Sequence, residues 1–171
     1  NSPIKKKALF KTPPFNFGIN FLYTNVMTHY PENRHWGVDN MWTHAPLEDL
    51  MPYLKEIATT LPPAPSHMLW LNWYPGVIQS DMAYSNEDNI YLALYANWKN
   101  AADTAQYGNW AVEMMQKMEH LSTGIQLADE GLLKRTSPFL AEENLKKIQE
   151  IRANRDKAGI FHEWHSRPEL K

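Results

Sequence analysis

Tyrosine and asparagine side chains alternate with aliphatic ones along residues 89–98, which read NIYLALYANW. A β-strand points successive side chains to opposite faces, so Tyr91, Tyr95 and Asn97 are predicted to share one face. Two phenols and a carboxamide on an otherwise apolar face offer hydrogen-bonding groups to a bound ligand, which predicts a ligand-facing wall. The alternative is that both tyrosines pack beneath a loop with their hydroxyl groups in water.

Two further stretches are predicted to place side chains beside these tyrosines. Residues 38–44 (VDNMWTH) and 66–74 (SHMLWLNWY) both show patterns that are typical of strands. The side chains predicted to share the tyrosine face are Trp42, His44, Trp70, Asn72 and Asn40. An open sheet with such a face left bare would aggregate or bind something, so these residues are candidates for ligand contacts.

The predicted elements run in the order strand, helix, strand, short strand, strand, helix, loop and helix. This order predicts an α+β domain: a mostly antiparallel sheet of about four strands, backed by helices on one face. The face that helices are expected to cover holds Leu69, Leu71, Leu92 and Leu94. The short fourth strand is predicted at 77–84. The domain is expected to span 38–171 after an irregular N-terminal arm at 1–37, within which Ile19–Met27 is a further strand candidate.

Three helices are predicted, with N-caps at Asp49, Asn100 and Ser137. In the second, apolar residues recur at helical spacing from Tyr107 onward, which indicates a core-facing stripe without chemistry of its own. Gly108 inside this stripe is unfavourable in a helix, so we expect it to allow a close packing contact.

The composition excludes several classes of function. The 171 residues carry a formal net charge of −2, so no polyanion-binding surface is indicated, and the Lys5–Lys7 run is too short to argue for nucleic acid or membrane. No apolar run approaches the roughly 18–20 residues of a membrane span. The absence of cysteine excludes disulfides and leaves the compartment open. Because the chain starts at Asn1, we expect a processed product, a fragment or one piece of a longer protein.

The familiar catalytic motifs do not occur in this sequence. It contains no phosphate-binding glycine motif, no cysteine nucleophile and no G-x-S-x-G. His162 and His165 form the only close histidine pair, but they lack the H-E-x-x-H pattern, so no metal site is predicted. Glu87 and Asp88 are interpreted as turn residues. Asp129 lies in a loop between helices, where it either meets a ligand or is solvated.

A set of motifs in the second half of the chain carries a family resemblance. A strand ending in Trp98 leads into a predicted helix with Trp110, and an S-x-G motif follows at 122–124. The loop at 124–130 reads GIQLADE, and a final helix precedes RDKAGIFH at 155–162. Over roughly residues 66–165, the chain resembles the C-terminal part of flavin-dependent oxidoreductases of the berberine-bridge-enzyme-like and vanillyl-alcohol-oxidase-like superfamily. It departs from the family at 126–128, where Gln-Leu-Ala replaces a frequent Tyr-x-Asn.

The resemblance implies the substrate-binding, flavin-capping part of an FAD-dependent oxidase or dehydrogenase that acts on an alcohol, an amine or an activated C–H bond. FAD would be held mainly by a domain or chain outside these 171 residues, and this chain would not be catalytic alone. The implied catalytic residues are Tyr91, Tyr95 and Asn97, and the implied substrate-binding residues are Trp70, Asn72, Trp42 and His44. The implied cofactor-binding residues are Gln126, Asp129, Phe161 and His162. The alternatives are a non-enzymatic protein-interaction module and a small-molecule binder that use the aromatic sheet face.

Overall fold

A three-stranded antiparallel sheet organises the residues from Asn33 onward. The computed structural model describes residues 18–28, 30–73, 87–127 and 134–161. The strands are β1 (His35–Thr43), β2 (His67–Asn72) and β3 (Ile90–Trp98), in the spatial order β1-β3-β2. The predicted α+β class is confirmed. The fourth strand predicted at 77–84 lies outside the described residues, so a four-stranded sheet is not confirmed.

Strand β3 is the centre of the sheet because it pairs antiparallel with both other strands. Every residue from Tyr91 to Trp98 is buried. Its β-branched, aromatic and leucine content suits a pleated surface that is packed on both sides. The strand therefore contributes one row of side chains to each face of the sheet.

The α-helices are α1 (Ile19–Met27), α2 (Leu47–Thr60), α3 (Thr104–Tyr107), α4 (Trp110–Lys117) and α5 (Glu142–Arg155). Short 3₁₀ turns occur at Ala101–Asp103 and Glu119–Leu121. Among the described residues, no helix combines the length and the apolar character needed to cross a bilayer.

Helix α1 corrects one prediction, because Ile19–Met27 is helical and not a strand. The compact unit Asn1–Glu32 contains this helix, and the unit Asn33–Lys171 contains the sheet. Local hydrogen bonds satisfy its polar side chains: Thr24 Oγ1 donates to the Asn20 carbonyl at 2.9 Å, and Asn25 Nδ2 donates to the Phe21 carbonyl at 2.8 Å. All nine residues of α1 are exposed.

The other predicted helices differ from the structure mainly at their ends. Helix α2 begins at Leu47, two positions before the predicted cap Asp49. The second predicted helix is interrupted, because α3 ends at Tyr107 and α4 begins at Trp110. Helix α5 begins at Glu142 and not after Ser137.

The close contact expected at Gly108 is confirmed at the break between α3 and α4. A Cβ atom added at Gly108 would lie 2.7 Å from the Thr104 carbonyl oxygen. A Cβ added at Gly37 on β1 would lie 2.9 Å from the Gly108 carbonyl oxygen. Gly37 thus allows this turn to approach the backbone of β1, and Gly108 avoids a clash with the Thr104 carbonyl inside the turn.

The main core fills the space between the sheet and helices α2 and α4. Its fully buried members are Met41, Leu92, Leu94 and Ala96 from the sheet, Leu50 from α2, and Ala111 and Met115 from α4. The predicted core stripe is confirmed, since Trp110, Met114 and Met118 are also buried in this cluster. Burying each such leucine stabilises the fold by roughly 1.5–3 kcal/mol.

A second apolar cluster, formed by residues that follow α4 in the sequence, packs around Ile125, next to the S-x-G segment. Ile125, Phe139 and Leu140 are buried together, and Leu145 and Ile148 of α5 pack against them. The Ile125 N–H also donates to the Pro138 carbonyl at 2.9 Å. This cluster holds the segment around Ile125 in place while its neighbours face the sheet.

Candidate ligand cleft on the tyrosine face

The pairing of β2 with β3 decides which side chains accompany the tyrosines. Residues directly opposite in an antiparallel pair share a face. Leu71 lies opposite Tyr91, whereas Trp70 lies opposite Leu92 and Asn72 opposite Ile90. The predicted placement of Trp70 and Asn72 on the tyrosine face is therefore wrong, as is the placement of the β2 leucines under the helices. Both alternate sets of β2 are largely apolar, so the sequence pattern does not specify the face, and a one-residue shift inverts it.

Trp70 and Asn72 have a different role from the predicted one. The Trp70 Nε1–H donates to Asn72 Oδ1 at 2.9 Å. Trp70 is partly buried against the aliphatic core. Both side chains thus lie on the helix-covered side of β2.

A cleft of about 330 Å³ lies on the tyrosine face. Its apolar walls are Trp42, Leu69, Leu71, Trp73, Tyr91 and Tyr95, and its polar groups come from Glu87 and Gln126. Four of the predicted site residues therefore lie together here, namely Trp42, Tyr91, Tyr95 and Gln126. A concave, mostly apolar surface with a few polar groups has the character of a small-molecule site.

Aromatic contacts hold the walls of the cleft in place. The Trp42 and Tyr91 ring centroids are 4.8 Å apart, and the Trp42 and Trp73 centroids are 6.4 Å apart, both in tilted arrangements. Tyr95 stacks on His67 with centroids 4.7 Å apart. Such tilted and stacked pairs are favourable geometries that restrict ring motion. The cleft is thus bordered by aromatic surfaces whose orientation is set by their neighbours.

Gln126 reaches the cleft because its backbone is bound to β1. The Gln126 N–H donates to Asn40 Oδ1 at 2.7 Å, and Asn40 Nδ2 donates to the Gln126 carbonyl at 3.0 Å. Nearby, the Trp42 N–H donates to the Gly124 carbonyl at 2.7 Å, and the Thr123 N–H donates to the Trp42 carbonyl at 2.9 Å. The S-x-G segment therefore lies along the edge of β1. The side-chain amide of Gln126 is the part that it can offer to a ligand.

One carboxylate, Glu87, lines the cleft, and Asp88 follows it in the sequence. Glu87 Oε2 accepts a hydrogen bond from Trp73 Nε1 at 3.1 Å. Asp88 accepts bonds from Thr123 Oγ1 at 2.8 Å and from the Asn89 N–H at 2.7 Å, and its Oδ2 lies 2.7 Å from His44 Nδ1. Burial raises the pKa of Asp88, but these hydrogen bonds outweigh burial and lower the pKa below its ordinary value. Asp88 is therefore a persistent negative charge.

Two further predicted site residues, His44 and Phe161, are not brought into the cleft. His44 pairs with Asp88 and keeps 67% of its side chain exposed. Phe161 is 69% exposed, and its backbone bonds to Asp156 and Arg152 lie at the end of α5. Neither belongs to the cleft lining that the described residues form. Asp129 and His162 lie outside the described residues.

Asn97 shares the tyrosine face but has a distinct environment. Its backbone is held by Ser66, whose Oγ accepts from the Asn97 N–H at 2.8 Å. The residue is 1% exposed, and in the described part of the chain neither Oδ1 nor Nδ2 of its side chain has a hydrogen-bond partner. A buried amide in this state costs roughly 1–3 kcal/mol, so Asn97 retains both a donor and an acceptor for a further group.

A buried ionic cluster below β1 was not predicted from the sequence. Arg135 Nη1 lies 3.0 Å from Asp39 Oδ1, both side chains are fully buried, and Arg135 Nε contacts Glu119 Oε2. Arg135 also donates to the Asn40 carbonyl at 3.1 Å. The cluster links β1 to the segment that follows the S-x-G motif. The signal in the sequence was Asp39 itself, since a charged residue inside a strand needs a partner when it is buried.

The pKa values of the two carboxyl groups in this cluster move in opposite directions. Burial raises the pKa of Asp39, and the Arg135 guanidinium opposes burial without overcoming it. Burial also acts to raise the pKa of Glu119, but hydrogen bonds from Ser137 and the charge of Arg135 outweigh it and lower the pKa. Glu119 is thus the better-stabilised anion of the two. Its Oε1 accepts from Ser137 Oγ at 2.7 Å and from Thr136 Oγ1 at 3.0 Å.

No protein-family model, curated protein or solved structure matches this chain. The resemblance to flavin-dependent oxidoreductases accordingly stays a prediction from the motifs of the second half.

Proposed function

We propose that this chain is the substrate-binding, flavin-capping part of an FAD-dependent oxidase or dehydrogenase that acts on an alcohol, an amine or an activated C–H bond. The observation that carries the proposal is the cleft on the sheet face opposite the helices. Its walls are aromatic, and Gln126 reaches it from the GIQLADE loop, one of the motifs that resemble the flavoenzymes.

Each group of the cleft has a chemical task in this proposal. Trp42 and Tyr91 pack against the apolar body of the substrate and exclude water from it. The hydroxyl groups of Tyr91 and Tyr95 can orient a polar substrate group, and the phenolate form of either would accept its proton and become the neutral phenol. A bound flavin supplies the capacity to accept a hydride from the substrate carbon. Asn97 lies on the same face but is buried and does not belong to the cleft lining of the described residues, so its assignment rests on the resemblance alone.

The fit of the chain to a flavin is limited to one predicted cofactor contact. Gln126 lines the cleft, so its side-chain amide can bond to the edge of a flavin ring. Phe161 lies outside the cleft lining of the described residues, and we do not assign it to the cofactor. This supports a capping role, with FAD held mainly by another domain or chain.

Native purification provides the direct test. The protein is isolated from its source with an antibody against this chain, and its visible spectrum and intact masses are recorded. We expect flavin bands near 370 and 450 nm, which are approximate values for any flavin cofactor, together with a flavin-binding polypeptide. A colourless preparation without such a polypeptide contradicts the proposal.

Substitution in the flavin-loaded protein tests the site residues. Tyr95→Phe is expected to lower turnover by about 100-fold, the usual loss when a proton-transfer group is removed, without changing flavin content. Tyr53→Phe on α2 is the matched control, because Tyr53 packs against the core on the other side of the sheet. Equal turnover of the two variants would remove Tyr95 from the site.

A protein-interaction module is a second candidate because of helix α1. Its exposed large apolar side chains are Ile19, Phe21, Leu22, Tyr23, Val26 and Met27. Contiguous apolar surface of this kind is typical of a binding site for another protein. The native purification separates the two candidates: a stoichiometric partner without flavin, lost with Ile19→Ser and Tyr23→Ser together, would favour the module.

A further inference from the structure

We propose that the cleft selects an organic ammonium ion with an apolar or aromatic body, and that Glu87 is its counter-ion. The inference rests on the proposed function, because it names amines as the substrate class of the same cleft. It excludes carboxylate and phosphate substrates. The rings, the charges and the size of the cleft all favour such a ligand.

The rings provide the first argument. Trp42, Trp73, Tyr91 and Tyr95 all line the cleft, and Trp42 contacts two of the other three rings. The face of an indole or phenol ring attracts cations, tryptophan most strongly, and several adjacent rings are the usual recognition surface for ammonium groups. A neutral ligand gains the apolar contact with these rings but not the electrostatic attraction.

The charges provide the second argument. Among the described residues that line the cleft, Glu87 is the one that carries a formal charge at neutral pH, and no lysine or arginine belongs to that lining. Its bond from Trp73 engages Oε2, and a carboxylate has acceptor capacity for several bonds. Asp88 follows Glu87 in the sequence but pairs with His44 and does not belong to this lining. An anionic ligand would meet the like charge of Glu87 here, whereas an ammonium group would form a charge-assisted hydrogen bond with it.

The size of the cleft bounds the body of the ligand. A volume of about 330 Å³ is near the lower end of the range for small-molecule sites, which is roughly 300–1,000 Å³. It suits a molecule of one or two rings and not an oligosaccharide. Leu69 and Leu71 form the aliphatic wall from β2, where such a ring can pack.

Calorimetric titration of the chain with three probes of matched shape tests this inference. The probes are 2-phenylethylamine, which is a cation at neutral pH, 2-phenylethanol, which is neutral, and phenylacetate, which is an anion. We expect the amine to bind roughly tenfold more tightly than the alcohol, from its cation–π and charge-assisted contacts, and phenylacetate to bind most weakly.

Two variants of Glu87 and one control identify the source of the preference. Glu87→Gln should reduce amine affinity to that of the alcohol and leave the alcohol unchanged. Glu87→Lys should reverse the order of amine and phenylacetate. Glu150→Gln, at an exposed position of α5, should leave all three affinities unchanged. Thermal unfolding of each variant confirms that the fold is retained.

The outcomes separate the inference from the proposed function. Equal binding of amine and alcohol, or a preference that survives both Glu87 variants, overturns the inference and leaves the aromatic cleft as a binding site for a substrate. No binding of any probe overturns the inference, and the native purification then decides the proposed function separately. If the cleft selects the amine but the protein purifies without flavin, the inferred ligand class is supported and the flavin-capping role is contradicted.

Discussion

The two faces of β3 are equally buried but differ in what they contact. Leu92 and Leu94 are fully buried beneath α2 and α4, while Tyr91 and Tyr95 on the other face are only 5–6% exposed and yet border a cleft. Burial therefore does not distinguish the core from the candidate site in this sheet. The distinguishing property is the neighbour: helices interlock with the leucines, whereas tilted rings and one backbone-bound segment surround the tyrosines.

The largest expected effect lies on the helix-covered face, where Asp39 stands opposite Leu94. Arg135→Met should lower the free energy of unfolding by about 3–5 kcal/mol, because it leaves the buried Asp39 without its counter-ion. Guanidinium denaturation followed by circular dichroism measures this loss. Lys117→Met is the control, since the pair of Lys117 with Glu56 is partly exposed and is expected to contribute at most about 1 kcal/mol. Similar losses in both variants would contradict the buried role of Arg135.

A pair of leucine substitutions compares the two faces directly. Leu94→Ala should cost about 2–5 kcal/mol of unfolding free energy, because it leaves a cavity in the core. Leu71→Ala, on the wall of the cleft and 40% exposed, should cost less than about 1 kcal/mol. Urea denaturation of both variants provides the comparison. Equal losses would mean that the cleft wall is packed as tightly as the core.

The third expected effect depends on pH. Glu119→Gln should lower the unfolding free energy by about 1–3 kcal/mol at neutral pH, since it weakens bonds to a charged acceptor. The folded pKa of Glu119 lies below the value of 4.5 expected for an unfolded chain. The stabilisation is therefore fully present above that value and is lost as the pH falls through the folded pKa.

Denaturation midpoints of wild type and Glu119→Gln should accordingly converge on acidification. Glu142→Gln is the control for this series, because Glu142 is exposed and, in the described part of the chain, pairs with the exposed Lys146 on α5. A difference between wild type and Glu119→Gln that stays constant with pH would show that its charge does not contribute to folding stability.

The sequence predicts β3 well because one of its alternate sets is aliphatic and the other carries the tyrosines and Asn97. The structure retains this division, with Trp42 on the tyrosine side as predicted. In β2 the sets around Leu69 and Trp70 are both apolar, so hydrophobicity does not reveal which one faces the helices. That choice is made by the hydrogen-bond register with β3, which depends on distant residues.

The rim of the cleft could not be predicted for a similar reason. Trp73 and Glu87 are far apart in sequence and meet because the antiparallel pairing of β2 and β3 continues to Trp73, whose N–H donates to the Asn89 carbonyl at 2.8 Å. Helix α1 was mispredicted for a different reason, namely its local residue preferences. Residues such as Ile19 and Val26 have local strand preferences, and these weak preferences did not decide its structure.

The bond between Asn40 and Gln126 has a consequence for how this surface can diversify. The Asn40 amide imitates a peptide group, since it accepts from one backbone N–H and donates to one backbone carbonyl of Gln126. It recognises the main chain, which is the same for every residue except proline at this position. The side chain at 126 can therefore be exchanged without undocking the loop. Substitutions at position 126 can therefore change the lining of the cleft while the backbone that supports it stays the same.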